Sequence, residues 1–255
     1  FLVDFRTAEA IKRDLWNGAD LHYTDILGVE NTTSYAAVYE VIQEPMRRLA
    51  EAIAAQVSSV NGGAPSAVFL AGGGSRLREM REEVAQCLGM AFARYVAQKE
   101  SKPVTQITIA LGRDSRITGP ALLKATAEGI SRAGAAVLDF GMCTTPAMYM
   151  SILTPGFQPD GAIMITASHH PYDKNGLKFF LRDGGLEGAE VAQLLQDAST
   201  LTPENMPFAG SITAKAFLPT YMEQLKDRIR KGLETDLAKP LLGLHVVVDA
   251  GNGAG

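Results

Sequence analysis

The sequence predicts an α/β protein with a mixed, mainly parallel sheet that helices cover on both faces. From Ala91 onward, short apolar runs alternate with longer segments of helical periodicity. The run at residues 161–165 carries no charge, as expected of a strand that is buried on both faces. Repeated β-α-β units of this kind place a parallel sheet between two helical layers.

The predicted elements follow one another along the second part of the chain. Gly119 and Pro120 stand where a helix begins, and Thr144 or Thr145 can cap the next helix. A glycine-rich apolar segment at residues 243–255 predicts one more buried strand that runs into a loop. The predicted strands are at residues 106–111, 135–140, 161–165 and 177–181, and the predicted helices are at residues 91–99, 120–133, 145–152, 186–198 and 216–231.

The first ninety residues have a different pattern. Residues 8–16 and 34–57 have helical periodicity, and an apolar run at residues 67–70 leads into a glycine loop at residues 71–75. A strand, a glycine-rich turn and a helix N-terminus can bind phosphate, because backbone N–H groups and the helix dipole favour anions there. Such a turn can also serve only to let a helix pack close to a sheet.

The composition limits the classes of function. The chain has 255 residues, a net charge of −4 and 46% hydrophobic residues, which argues against binding nucleic acid or a membrane surface through bulk charge. The two cysteines, Cys87 and Cys143, have no metal or redox spacing, which indicates reduced thiols and a cytoplasmic location. No apolar stretch has the length of a transmembrane helix, and no basic-then-apolar leader opens the chain.

The main functional signal is the string TASHHPYDKNGLKFF at residues 166–180. Small residues end the preceding strand, so we expect the Ser168 hydroxyl at the C-terminal edge of the sheet, where α/β proteins present reactive groups. His169 follows directly, and a turn at Asn175 brings Lys178 back to the same place. A hydroxyl, an imidazole and an ammonium are therefore expected on one tight loop.

The chemistry that suits this set is phosphoryl transfer through a serine. Ser168 can carry a phosphoryl group as a covalent intermediate. Lys178 can offset the negative charge on the oxygens of the transferred group. The alternative is an ordinary hairpin with polar residues in its loop, and that alternative would be favoured for a lone Ser-His pair.

The whole string resembles the active-serine loop of the α-D-phosphohexomutases, the family of the phosphoglucomutases and phosphomannomutases. That loop reads T-[AG]-S-H-N-P, followed by N-G-x-K; His170 stands where the family usually has Asn. The resemblance implies that phosphorylated Ser168 donates to a hexose monophosphate and that the resulting bisphosphate reorients and returns its other phosphate. It implies Lys178 as charge stabiliser or proton shuttle, and His169 as the residue that orients the loop or the phosphate.

Further motifs extend the resemblance to the family's first domain, over residues 91–240. The string GRDSR at residues 112–116 matches a G-R-D-x-R turn, and TTPA at residues 144–147 matches a T-P loop. The resemblance implies that four residues support the substrate or the loop, with a surface salt-bridge cluster as the alternative for the charged ones. These four residues are Arg113, Asp114, Arg116 and Asn175.

The end of the chain matches the start of the family's second domain. The string DAGNG at residues 249–253 is similar to the opening strand of that domain. Residues 241–255 are therefore assigned to a truncated start of domain II, and domains II to IV are expected to be missing.

Residues 1–90 resemble a second family, the actin-like ATPases of the Hsp70 and FtsA/MreB branches, in the C-terminal part of their ATPase domain. The pattern is an E-x-x-K helix, a long helix and then VFLAGGGSRL at residues 68–77. The join would lie between residues 81 and 92, and either a fusion or a misassembled reading frame would explain it. The resemblance implies five residues on the nucleotide side of an ATP site: Glu9, Lys12, Gly72, Gly73 and Gly74.

The expected function is that of a hexose phosphate mutase, an isomerase, with a hexose 1,6-bisphosphate as activator. The resemblance implies Mg²⁺ at Ser168 or its phosphate, since Mg²⁺ prefers oxygen ligands in octahedral geometry. The family's D-G-D-x-D-R metal loop does not occur in this sequence, so we expect the chain alone to have little mutase activity. Two alternatives are an actin-like ATP-binding module with the mutase segment as passenger and a non-catalytic fragment.

Overall fold

The computed structural model describes residues 20–25, 27–41, 43–44, 48, 78–168, 170–171, 174–233 and 238–248. In its first part, β1 (Leu21–Thr24) and β2 (Glu30–Thr33) form an antiparallel hairpin, and residues 35–41 are helical. The predicted elements at residues 8–16 and 67–75 lie outside the described residues, as does most of the predicted helix at residues 34–57.

The main domain alternates strands and helices in the predicted order. Its elements are α1 (Arg78–Lys99), β3 (Thr108–Arg113), α2 (Gly119–Ala133), β4 (Ala136–Met142), α3 (Thr145–Leu153), β5 (Gly161–Ile165), β6 (Leu177–Leu181), β7 (Gly184–Gly185), α4 (Gly188–Ala198), β8 (Ile212–Ala214) and α5 (Leu218–Gly232). No helix in the described part of the chain is both long enough and apolar enough to cross a membrane.

The sheet is mixed and mainly parallel, which confirms the predicted fold class. Its strand order is β7-β6-β5-β3-β4-β8. The four strands β5, β3, β4 and β8 pair in parallel, whereas β6 and β7 are antiparallel to their neighbours. Because β5 and β6 form an antiparallel pair, the loop between them turns back at the C-terminal end of β5.

Helices cover both faces of the sheet. Side chains along a strand alternate between its faces, so Ile163 of β5 packs with α1, α2 and α4, whereas Met164 packs with α3. The first face is built around Phe92 and Ile130, both fully buried. The second face contains an aromatic group in which Phe217 contacts Phe140 and Phe157.

Helices α1 and α2 cross at two glycines. A Cβ atom on Gly129 would lie 2.0 Å from the carbonyl oxygen of Gln86, and one on Gly89 would lie 2.4 Å from that of Thr126. Only glycine permits so close an approach of two helix backbones. Helix α1 is continuous across residue 90. The buried residues of α1 before residue 90 and those after it pack in the same core. The predicted boundary at residue 90 thus falls inside α1, and the division into residues 1–90 and 91–240 stays a prediction.

Two sequence-based assignments near the C-terminus differ from the structure. The short edge strand β8 was missed, because its three exposed residues carry no alternation that the sequence reveals. The predicted buried strand at residues 243–255 is wrong over its described part, residues 243–248, which form no strand and expose Val247 to 93%. An apolar run becomes a strand only where a neighbouring strand accepts its backbone hydrogen bonds, and no described strand pairs with it.

Candidate active site

The carboxyl ends of three neighbouring strands meet at one edge of the sheet. The central strand, β3, ends at Arg113, which pairs with Ile165 at the end of β5. The Asp114 amide donates to the carbonyl oxygen of Ile165 at 3.1 Å, and the Cys143 amide after β4 donates to that of Arg113 at 2.9 Å. The turn after β3, the start of α3 and the loop after β5 therefore lie side by side, as expected for ligand sites in α/β sheets.

The loop after β5, residues 166–176, presents Ser168 to solvent, and we call it the serine loop. The Thr166 amide closes it by donating to the carbonyl oxygen of Gly176 at 2.9 Å. Ser168 is exposed and has a left-handed backbone with φ of 54°, an uncommon conformation for a residue with a side chain. Its amide donates to the Thr166 hydroxyl at 3.0 Å. Non-glycine residues in this conformation are often found at functional sites.

The Arg116 guanidinium is hydrogen-bonded to the carbonyl oxygens of the serine loop. Nη2 donates to the carbonyl oxygens of Ser168 and His170, each at 2.9 Å. Nη1 donates to those of Pro171 and Lys174. Nε donates to Asp114 Oδ2 at 2.9 Å. The predicted alternative of a salt-bridge cluster is present as the ion pair of Arg116 with Asp114, but the Arg116 side chain is only 9% exposed, so the pair is not at the open surface.

Arg113 and Asn175 flank the same loop in different ways. Arg113 Nη1 donates to the carbonyl oxygen of Asp114 at 3.0 Å, and its other donors have no acceptor among the described residues. Its Cδ lies 3.0 Å from where a Cβ on Gly119 would stand, so glycine makes room for it. The Asn175 side-chain amide donates to the Thr118 hydroxyl. Thr118 directly precedes α2, but its side chain makes no capping hydrogen bond to that helix.

Lys178 lies on β6, two residues after the point where the serine loop closes. It pairs with Met164 of β5 and is half-buried. Its ammonium group has no hydrogen bond or ion pair with any described residue. The antiparallel return of β6 thus places Lys178 at the base of the serine loop.

A second type of candidate nucleophile near this edge is the thiol of Cys143. Burial raises the pKa of its thiol to about 11. The thiol therefore stays protonated at neutral pH and is a poor nucleophile there. The Ser168 residue is exposed, whereas Cys143 packs in the core on the second face of the sheet.

Sequence reasoning missed two hydroxyls that hold this site together, those of Thr118 and Thr166. Thr166 stands inside the motif string and accepts from the amide two residues later, a local turn that its type and position could have suggested. Thr118 stands directly before α2, where its sequence position indicates a helix cap. Its actual partner, Asn175, is 57 residues away, and no local signal reveals that contact.

Several predicted site residues lie outside the described residues. These residues are His169 in the serine loop and the five nucleotide-side residues Glu9, Lys12, Gly72, Gly73 and Gly74. ATP binding by the first part of the chain therefore stays a prediction, as does the role of His169.

The described residues do not form a complete metal site. They contain no group of three His, Cys, Asp or Glu side chains that could hold a metal ion. Ser168 offers a single oxygen, whereas Mg²⁺ needs near-octahedral oxygen coordination. The prediction of Mg²⁺ at Ser168 therefore stays a prediction.

The fold and the site together define an α/β domain that presents a serine beside cations at the edge of a parallel sheet. The family model described as phosphoglucomutase/phosphomannomutase, alpha/beta/alpha domain I, matches residues 73–204. The chain belongs to the phosphoglucomutase/phosphomannomutase family.

Curated relatives and a solved structure agree with this assignment. The chain is 33% identical over 180 residues to a phosphoglucosamine mutase of Corynebacterium jeikeium, covering 69% of this chain and 38% of that protein. It is 35% identical over 181 residues to a phosphomannomutase of Salmonella montevideo, covering 69% and 36%. A crystal structure of a phosphoglucomutase/phosphomannomutase family protein from Burkholderia thailandensis matches with a TM-score of 0.51 and 26% identity, covering 64% of this chain and 34% of that one.

Proposed function

We propose that this chain supplies the phosphoryl-carrying serine of a hexose phosphate mutase and that Ser168 is that serine. The observation that carries the proposal is the exposed Ser168 on a left-handed backbone at the sheet edge, in a chain of this family. The chain spans 38% and 36% of the length of the two relatives named above, so the activity of a whole mutase is itself part of the proposal.

The proposed reaction moves a phosphoryl group on and off Ser168 without net loss of phosphate. The bond between the serine oxygen and phosphorus breaks as a hydroxyl oxygen of the hexose monophosphate bonds to phosphorus, and the proton that this hydroxyl gives up is taken up by the released Ser168 oxygen. The hexose 1,6-bisphosphate then reorients, and its other phosphoryl group returns to Ser168. In that second step Ser168 gives up its hydroxyl proton and the released sugar oxygen takes one up, so the net change is an isomerisation.

Two side chains assist this transfer in our proposal. Lys178, whose ammonium group has no partner among the described residues, offsets the charge on the transferring oxygens or shuttles the proton. His169 orients the loop or the phosphate. A positive side chain such as Lys178 has to attract the phosphate at short range. The chain as a whole carries a net charge of −4 and does not attract an anion through bulk charge.

The substrate class is a hexose phosphate. The two relatives are named for glucosamine and mannose phosphates, and the class that they share is what we transfer to this chain. We expect little or no turnover from the chain alone, since it spans 38% and 36% of the length of the two relatives and contains no D-G-D-x-D-R metal loop. A coupled assay with glucose 1-phosphate or mannose 1-phosphate and the bisphosphate checks this, and turnover at the rate of a complete mutase would contradict it. A single phosphoryl transfer from the bisphosphate to Ser168 needs no repeated cycle and can accumulate during a long incubation.

The test of the carrier role is to locate the phosphate on the protein. The purified chain is incubated with hexose 1,6-bisphosphate, digested and sequenced by mass spectrometry. Ser115 is a matched control, because it is an exposed serine in the turn at the same edge of the sheet. We expect phosphate on Ser168 in the wild type and in Ser115→Ala, and no phosphorylated peptide in Ser168→Ala.

Two results would overturn the proposal. One is a wild-type chain that carries no phosphate after incubation. The other is phosphate on Ser115 or another residue that persists in Ser168→Ala, because Ser168 would then have no special reactivity.

A further inference from the structure

We propose that Arg116 is a positioning residue that holds the serine loop in shape and that it does not bind the phosphoryl group. This inference rests on the proposed function of Ser168 as phosphoryl carrier. It differs from the ordinary expectation for an arginine beside a phosphate site, which is a direct bidentate contact to phosphate oxygens.

The Arg116 side chain already uses all of its hydrogen-bond donors within the protein. An arginine side chain has five N–H donors and no acceptor. Nη1 and Nη2 donate to four carbonyl oxygens of the serine loop, and Nε donates to Asp114 Oδ2. Every donor is therefore occupied, and a phosphoryl oxygen could bind only if a loop carbonyl lost its partner.

Asp114 anchors the guanidinium to the central strand. Its Oδ2 accepts from Arg116 Nε at 2.9 Å, and its Oδ1 accepts from the Arg116 amide at 3.1 Å. The Asp114 amide itself donates to the carbonyl oxygen of Ile165 on β5. Since the two side chains are only 9% and 19% exposed, the pair forms a rigid support between β3 and the serine loop.

The position of these acceptors explains the backbone of Ser168. Nη2 bridges the carbonyl oxygens of Ser168 and His170, which fixes the peptide planes that follow those two residues. A serine in the left-handed region persists only where its surroundings hold it there. Arg116 supplies that constraint, and Arg113, with donors left over, is the neighbouring arginine that has capacity for an anion.

A charge-conserving variant separates the two roles. Lysine keeps the positive charge but has three donors in place of five, so Arg116→Lys cannot satisfy all four carbonyl oxygens and Asp114. Arg230→Lys is the matched control, because Arg230 makes an ion pair with Asp227 on α5, away from the site. Hydrogen exchange of residues 166–176 is measured by mass spectrometry, without any sugar phosphate present.

We expect amide exchange in the serine loop to be about tenfold faster in Arg116→Lys and unchanged in Arg230→Lys. We also expect slower phosphorylation of Ser168 with an unchanged half-saturating concentration of hexose 1,6-bisphosphate, because the lost function is positioning and not binding. Loop exchange equal to the wild type would overturn the inference. A weakened half-saturation with unchanged loop exchange would also overturn it, because Arg116 would then be a ligand.

A replacement variant and the phosphorylation of the wild type complete the test. If circular dichroism shows that Arg116→Lys does not fold, Asp114→Asn replaces it, since that variant keeps the four carbonyl contacts and weakens only the anchor. Faster loop exchange in Asp114→Asn supports the inference, and unchanged exchange overturns it. A wild-type chain without phosphate on Ser168 would refute the proposed function, whereas the loop exchange would still decide the role of Arg116.

Discussion

Helices α2 and α5 have the same length and the same kind of apolar stripe, yet only one of them is packed. Nine of the fifteen residues of α2 are buried against α1 and the sheet. None of the fifteen residues of α5 is buried, and its stripe of Met222, Leu225 and Ile229 is between 41% and 49% exposed. Helix α5 is attached mainly near its start, where Phe217 and Tyr221 join the aromatic group on the second face of the sheet.

The difference shows what an amphipathic pattern establishes. The pattern predicts a helix and the direction of its apolar face, but it does not predict whether another element covers that face. For α2 the cover is supplied by α1, through the glycine contacts at residues 89 and 129. The stability of the domain should therefore depend strongly on α2 and weakly on α5, and matched substitutions in the two helices test this.

The largest effect is expected from shortening an isoleucine in each helix. Ile130 of α2 is fully buried, and Ile229 of α5 is 45% exposed. Ile130→Ala should lower the free energy of unfolding by about 4 kcal/mol, because it removes buried methyl groups and leaves a cavity. Ile229→Ala should lower it by less than about 1 kcal/mol. Urea denaturation measures both, and equal losses would mean that α5 is covered in solution.

Adding a methyl group to a glycine in each helix should give effects of opposite sign. Gly129→Ala should destabilise the fold by about 3 kcal/mol, since the new Cβ would collide with the backbone of α1. Gly232→Ala at the end of α5 meets nothing within 4 Å and should stabilise it by up to about 1 kcal/mol through helix propensity. Thermal unfolding gives both signs, and a neutral Gly129→Ala would argue against the close crossing of α1 and α2.

In the serine loop, which is hydrogen-bonded to Arg116 in the turn after β3, two substitutions of Ser168 can be compared. Ser168→Gly should be more stable than Ser168→Ala by about 1 kcal/mol, because glycine adopts the left-handed backbone without a steric penalty. Neither variant should accept phosphate. Denaturation of the two variants side by side measures the difference, and equal stability would show that residue 168 is not left-handed in solution.

The smallest effect is expected from a carboxylate that joins α4 to α1. Donation from Lys99, Tyr95 and the Glu187 amide lowers the pKa of Glu190 to about 2. A carboxyl group whose pKa is lower in the folded state stabilises the fold above its ordinary pKa and loses that contribution as the pH falls from about 5 to about 2.

Glu190→Gln should therefore cost less than about 1 kcal/mol at pH 7, because the pair is partly exposed, and the cost should shrink on acidification. Glu223→Gln on α5, where the carboxylate pairs with Lys226 on the surface, should change the stability less. Denaturation of both variants at pH 7 and pH 3 gives the comparison. A cost that grew at low pH would show that the sign of the pKa shift is wrong.

The sequence was sufficient for most of the sheet and for the placement of the serine. Strands β5 and β6 have the predicted bounds, because their apolar runs are uncharged or nearly so and end at clear turn residues. Strand β3 begins two residues later than predicted, because residues Val104–Gln106 form a 3₁₀ turn before it. The exposed run at residues 243–248 has the composition of a strand. Whether such a run forms a strand or stays irregular depends on pairing with a neighbouring strand, which the sequence does not reveal.

The support of the serine loop could not be predicted in the same way. The motif placed Arg116 near Ser168, but its acceptors are main-chain carbonyl oxygens, which every residue has and which leave no trace in a sequence. The bond between Asn175 and Thr118 joins two segments that are distant in the chain. Both contacts form because the turn after β3 lies beside the loop after β5. The two segments are adjacent because β3 and β5 are neighbouring strands in the sheet.

If one serine of this chain carries the phosphoryl group, the mass of the intact chain after incubation with hexose 1,6-bisphosphate reveals it. We expect a single phosphate per chain in the wild type and in Ser115→Ala, and none in Ser168→Ala. An unmodified wild-type chain, or a phosphorylated Ser168→Ala chain, would contradict it.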